Sequence, residues 1–367
     1  MSNYPQLDLT KERDFEMYAY DNYDCLYMGR VDAIRAEGRP VSDPKRTEDQ
    51  WRTIPGCVIQ LANTAMAFPA PLSKKANWVA AVDESCWFMR GETNINSLNS
   101  KIWDEWADES GECGPIYGEM WRRWPDLKAF YDYTQPSGVC PDADVIRARK
   151  EIERMRAAGY KETMMLDGRI LFEGEIDQLL EALIAIKDRS RSRRIRVQAF
   201  NPSYLHMQGL PPCHTGFEFN VLPSTLYEQT IMRAAHGEAF EETLHISVFL
   251  RSSDTLLGLP FNVIGYCSIF HLFAKYCGLN IGSFTIDSTN THVYEHHWSA
   301  LDKQREQFEE LVAEVRSTGN PMQYPIMRID PKIFSLEPKE LLDSISVEMF
   351  NLEGYNPKGK ITGRVTK

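Results

Sequence analysis

From Asn262 to Tyr276 the chain reads Val263, Ile264, Gly265, Tyr266, Cys267, Ser268, Ile269, Phe270, His271, Leu272, Phe273 and Ala274 before its single charge, Lys275. At helical spacing this stretch is apolar on every side, and such a helix is stable only when other elements enclose it. No segment of the chain holds the ~18 uninterrupted apolar residues that a membrane span requires. The enclosure must be built by the chain itself, which makes the predicted helix the centre of a globular core.

The remaining periodicities suggest what surrounds it. Cys57 to Ala67 reads as a strand and turn stopped by Phe68-Pro69-Ala70-Pro71. Trp78 to Arg90 places Trp78, Val79, Val82, Cys86, Phe88 and Met89 at helical spacing, with Gly91 as its stop and Glu84 among the apolar residues. Glu175 to Asp188 is an amphipathic helix with Ile176, Leu179, Leu180, Leu183 and Ile186 facing inward. Ile195 to Ala199, Thr215 to Leu222 and Leu244 to Leu250 read as strands. Strands mixed with a few long helices, without a regular strand-helix repeat, predict an α+β fold. Residues 1–51 read as a charged surface extension with a helix near Arg30 to Glu37. The stretch 133–168, with Pro136, Ser137, Gly138 and Pro141 ahead of a charged helix from Val145 to Ala158, reads as a solvated insertion.

At 367 residues the chain is long enough to enclose a cavity. A net charge of −11 argues against broad nucleic-acid binding, which needs a basic face to displace counterions. The polar N-terminus has no signal-peptide core, so a cytoplasmic location is expected. The eight cysteines form no Cys-x-x-Cys pair, consistent with reduced thiols. His292, His296 and His297 are close in sequence but lack a metal-binding spacing, so no metal is expected.

Cys213 carries the chemistry. It follows Leu210-Pro211-Pro212 and precedes His214 and an apparent strand, which places a thiol at a strand entrance. Downstream, Arg251-Ser252-Ser253-Asp254 and Leu257-Gly258-Leu259-Pro260-Phe261-Asn262 offer an anion clamp and a carboxamide. A thiolate can add to an electron-poor ring carbon and later leave, so the set suits a phosphorylated heterocycle. Arg193-Arg194 stand at a strand start, where forked donors could meet a phosphate, and Arg52-Thr53 could add another. Trp103 and Trp106, three residues apart, are expected on one helical face as an aromatic wall. Tyr117 falls on a tight turn between Gly114 and Gly118, and His292 and Tyr294 share a strand face.

Taken together, these motifs resemble the thymidylate synthase family: Trp87 to Ile95, Ile102 to Glu109, Gly114 to Gly118, Ser192-Arg193-Arg194, Leu210 to His214, Arg251 to Asn262, His292-Val293-Tyr294 and Glu353 to Pro357. They occur in the family's order across residues 52–367, with insertions near 133–168 and 223–243. The resemblance implies a large twisted mixed sheet, long buried helices and a sheet-to-sheet homodimer. It implies transfer of one carbon from 5,10-methylenetetrahydrofolate to C5 of dUMP. Cys213 would add to C6, and Glu84 would manage protons through water within a network that includes Tyr117 and His214. Arg251, Ser252 and Arg52 would hold the phosphate, joined by Arg193 and Arg194 of the partner subunit, while His292 and Tyr294 would hold the sugar hydroxyl. Ile102, Trp103, Trp106, Asp254, Leu257, Gly258 and Phe261 match the folate wall. Asn262 would read the base, since its amide accepts from N3–H and donates to O4 of uracil; members acting on cytosine carry an aspartate there.

Four positions depart from the synthase pattern. Leu250 stands where synthases carry glutamine, Asn290 where they carry aspartate in Gly-Asp-x-His-x-Tyr, and Gly265 where they usually carry serine. The chain ends Arg364-Val365-Thr366-Lys367 where synthases end in small apolar residues that close over the folate. A hydrated terminal lysine should seal that lid less well against water. These departures favour a cycle that ends in water addition, giving 5-hydroxymethyl-dUMP, over hydride transfer giving dTMP and dihydrofolate.

Overall fold

The computed structural model describes residues 8–45, 47–131, 142–165 and 169–366. In chain order the helices are α1 (Glu12–Ala19), α2 (Tyr23–Glu37), α3 (Trp78–Met89), α4 (Tyr117–Arg122), α5 (Asp142–Ala157), α6 (Gln178–Lys187), α7 (Leu226–His236), α8 (Gly258–Tyr276), α9 (Trp298–Thr318) and α10 (Pro338–Ser344). The strands are β1 (Arg39–Val41), β2 (Trp51–Leu61), β3 (Trp124–Tyr131), β4 (Lys161–Met164), β5 (Arg169–Ile176), β6 (Arg196–Gln198), β7 (His214–Pro223), β8 (Glu242–Leu250), β9 (Ser253–Asp254), β10 (Asn280–Tyr294), β11 (Ile326–Ile329) and β12 (Phe350–Glu353).

The all-apolar segment is the interior helix α8. It packs on α3 to one side and on β8 and β10 to the other. Two of its polar side chains find partners inside the core: the Ser268 hydroxyl donates back to the Ile264 carbonyl at 2.8 Å, and His271 Nε2 lies 3.1 Å from Thr64 Oγ1. Pro260 fits its first turn, where an amide N–H would have no helical acceptor. Gly278, at φ +62°, ends it, and the amide of Leu279 reaches back to the Ala274 carbonyl at 2.8 Å.

The main sheet runs β1-β2-β10-β8-β7-β6, with β9 also on β10. β10 pairs parallel with β8 and antiparallel with β2, so the sheet is mixed. Alternation sets its two faces: Leu244, Ile246, Val248 and Leu250 of β8 point to the core, whereas His245, Ser247 and Phe249 are half-buried on the other face.

Two expectations change. Among the described residues ahead of β2, one helix is no surface extension: α2 starts at Tyr23, capped by Asn22, and buries Tyr23, Tyr27, Met28, Val31 and Ile34 against β2 and α9. Its Asp24 is fully buried, accepting from the amides of Leu72 and Ser73, each at 2.9 Å, and from the Tyr324 hydroxyl at 2.6 Å. The charged stretch near 133–168 is also more than a solvated helix. α5 lies with a small sheet, β3-β5-β4, over its own core of Ile152, Met155, Ile170 and Phe172. Pro136, Ser137, Gly138 and Pro141 lie outside the described residues.

Asp24→Ala strips three buried donors of their acceptor. It is expected to lower the unfolding free energy by roughly 2–4 kcal/mol in urea titrations, whereas an N-terminal segment that merely coats the surface would leave the midpoint in place.

Candidate active site

One cavity of about 840 Å³ gathers side chains from far-apart segments, a size suited to small organic ligands. The N-terminal end of α8 supplies Gly258, Phe261 and Asn262, preceded by Leu257. α3 supplies Glu84, the entrance of β7 supplies Cys213 and His214, and the short strand β9 with its preceding residue supplies Ser252, Ser253 and Asp254. His292 and Tyr294, two apart at the end of β10, share one strand face and both reach the wall. Ile102, Trp103, Trp106 and Tyr117 complete the predicted members.

Cys213 is partly exposed at the strand entrance. Its amide donates to the Tyr117 hydroxyl at 2.8 Å, and its carbonyl accepts from the Arg251 amide at 2.8 Å. The Arg251 guanidinium donates to the carbonyls of Pro212 and Pro211 at 2.7 and 2.8 Å, with Nη2 3.9 Å from the sulfur. The two prolines thus offer carbonyls that hold a fixed positive charge beside the nucleophile. His214 turns away from the thiol toward two tyrosines. Its Nδ1 lies 2.5 Å from the Tyr266 hydroxyl and its ring stacks on Tyr117 with centroids 3.7 Å apart. Burial pushes its pKa down to about 3, so the ring is neutral at physiological pH.

Glu84 accepts from Trp103 Nε1 at 2.7 Å. Burial pushes its carboxyl up to about 7, with the Trp103 hydrogen bond pulling the other way. A carboxyl poised there can both take and give a proton near neutrality. A second hollow of about 10 Å³, room for about one water, lies behind it. Ser85, Trp121, Asn262, Gly265 and Tyr266 are in its wall, and the buried Trp121 Nε1 has no protein partner among the described residues. A Cβ at Gly265 would come within 2.5 Å of Ser85 Oγ, so the serine of α3 occupies the space of a side chain at 265, next to the hollow.

The indole wall forms without a helix. Residues 102–106 are a run of turns in which the Trp106 amide donates to the Trp103 carbonyl at 3.0 Å, and the two rings meet edge to face at 5.6 Å. Asp254 sits 3.6 Å from His297 Nδ1. Burial would raise its pKa, but His297, His292 and the Leu257 amide together outweigh this and hold the carboxyl below the ordinary range.

All four predicted arginines stay outside the cavity wall, though Arg251 reaches the Cys213 sulfur from behind it. Arg52, on β2, donates from Nε to Glu295 at 3.1 Å. Arg193 and Arg194 are exposed in the turn before β6. Sequence reading missed Tyr266, although it stands four residues after Asn262 and hence on the same helical face. It also missed Asp83 and Asn77, which line the cavity from the start of α3. Gly363, Val365 and Thr366 of the C-terminal tail reach the wall as well, whereas Lys367 lies outside the described residues.

The sequence pattern described as thymidylate synthase matches residues 26–367. The chain belongs to the thymidylate synthase family. A relative named thymidylate synthase, from Buchnera aphidicola subsp. Baizongia pistaciae (strain Bp), is 32% identical over 245 residues, covering 66% of this chain and 69% of that protein. The match begins inside α2, in keeping with the burial of that helix. The family's one-carbon donor is methylenetetrahydrofolate, and an aromatic slot beside a carboxylate fits a flat, hydrogen-bonding ring system. Among the described residues, no helix is long and apolar enough to cross a membrane, and no group of three or more His, Cys, Asp or Glu could hold a metal ion.

Because the folded-state pKa of Glu84 lies above its ordinary value of 4.5, its contribution to stability is fully present below about pH 4 and is lost as pH rises through about 7. Comparing urea denaturation of the parent protein and Glu84→Gln from pH 4 to 8 should show a parent-specific loss of roughly 2–3 kcal/mol across that window. Parallel profiles would refute the shift.

Proposed function

We propose that this chain transfers one carbon from 5,10-methylenetetrahydrofolate to C5 of dUMP and ends its cycle by adding water, releasing 5-hydroxymethyl-dUMP. The observation that carries this reading is the water-sized hollow behind Glu84, bounded by Gly265 where the synthase pattern has a serine.

In the proposed cycle the Cys213 sulfur bonds to C6, and the C5–C6 electron pair moves onto C5. Arg251 steadies the anionic sulfur before attack and, with Ser252, meets the phosphate. Asn262 accepts from N3–H and donates to O4, while His292 and Tyr294 meet the sugar hydroxyl. The folate supplies the one-carbon unit at C5 when bound against Trp103, Trp106, Leu257 and Phe261, with Asp254 as its polar contact. Loss of the C5 proton, passed through water to Glu84, and departure of the folate amine, which leaves with a proton returned from Glu84, give a methylene on C5. A water oxygen then bonds to that methylene, its proton goes to Glu84 or solvent, and the returning electron pair expels the Cys213 thiolate.

Two copies are proposed to join through the open face of the main sheet. Val58, Asp287 and Phe249 form one cross-strand row there, with Val58 47% exposed. In that dimer Arg193 and Arg194 would complete the partner's phosphate site. Arg52, paired with Glu295, has no place in this set.

One observation favours the alternative ending in dTMP and dihydrofolate: the tail lies against the cavity, and hydride transfer needs water kept out. Incubation with dUMP and methylenetetrahydrofolate, followed by mass analysis of both products, decides between them. 5-Hydroxymethyl-dUMP with tetrahydrofolate is expected; dTMP with dihydrofolate would refute the water-adding reading. Cys213→Ser should abolish turnover and the covalent adduct with 5-fluoro-dUMP, and an active variant would overturn the nucleophile.

A further inference from the structure

The C-terminal tail meets the body of the protein at a cluster of which the proposed reaction uses only Asp254. The Arg364 carbonyl accepts from His297 Nε2 at 2.8 Å and lies 3.3 Å from His296 Nε2. The other nitrogen of His297 faces Asp254 at 3.6 Å. The Arg364 side chain is ion-paired with Asp49 and lies 3.4 Å from His296 Nδ1. Gly363 fits between: a Cβ there would come within 2.7 Å of Leu256 Cδ2 and 3.1 Å of His297 Nε2.

We infer that His297 is a positioning residue that clasps the tail over the cavity before folate arrives, linking the Arg364 carbonyl to Asp254 in the proposed folate wall. The magnitudes rank the contacts. The Arg364 side chain is 64% exposed, and an exposed ion pair contributes little. The His297 side chain is fully buried, and a buried bond to a charged or polarised donor contributes more. His297 is therefore the fastener and the Asp49 pair a guide. The Asp254 carboxylate faces Nδ1 at 3.6 Å, outside hydrogen-bond reach, and its charge favours the ring orientation that leaves Nε2 aimed at the tail. A tail already docked spares the ordering entropy that folate binding would otherwise have to offset, so the clasp should show in folate affinity rather than in dUMP affinity.

The clasp is independent of which product forms. Hydrogen exchange of the amides of residues 361–366 in the unliganded full-length protein tests it without turnover. His297→Ala should speed their exchange about 10- to 100-fold, Gly363→Ala should do so with the histidine intact, and His297→Gln, which keeps one donor, should restore part of the protection. Equal exchange in the parent and His297→Ala would overturn the proposal. With activity present, His297→Ala should raise the KM for methylenetetrahydrofolate by a similar factor and leave the KM for dUMP within about twofold; a rise in both alike would mark a merely structural role. Unchanged exchange with altered product would speak against the clasp alone, and protected tails without any dUMP chemistry against the proposed reaction alone.

Discussion

The enclosure of α8 is the constraint on which the rest depends. A helix with no polar face must be covered by α3 and by the core face of β8 and β10, and this covering leaves one end open. At that end the helix begins with Leu257, Gly258, Phe261 and Asn262 in the cavity, while Tyr266 one turn on holds His214. α3 brings Glu84 to the same place because its apolar neighbours are needed as the lid of α8. The site residues are thus held by hydrophobic burial of their helices more than by contacts among themselves. Burial also sets their protonation: it pushes Glu84 up to about 7 and His214 down to about 3.

Much of this was legible in the sequence where a residue's environment follows from its own segment. The apolar run of α8, the period of α3 around Glu84 and the paired positions of His292 and Tyr294 on β10 all needed only local spacing. α2 was obscure because its buried face is built from Tyr23, Tyr27, Met28, Val31 and Ile34 among charges, and its most buried polar residue, Asp24, is satisfied by amides about fifty residues away. The partner of His214 was hidden for a similar reason. Its sequence neighbour is the thiol, but its hydrogen-bond neighbour is Tyr266 on another helix. Arg251, forty residues from Pro211 in the chain, is the group whose charge lies at the sulfur, and only the pairing of β7 with β8 makes that visible.

Water is where the tail and the interior meet. A tail whose closure was weak would let solvent reach the cavity from outside, and the terminal Lys367 suggested that route. The described tail instead lies docked through Arg364, with Gly363 small enough to seat against Leu256 and His297. Under the proposed reaction the water that adds to the C5 methylene then need not come from bulk solvent. The hollow bounded by Gly265, Ser85 and Trp121 has room for about one water beside Glu84. Trp121 Nε1, buried without a protein acceptor, provides a donor that such a water would satisfy. A closed lid and a resident water are compatible, so product choice would depend less on how tightly the tail seals than on whether residue 265 leaves that space beside the carboxylate.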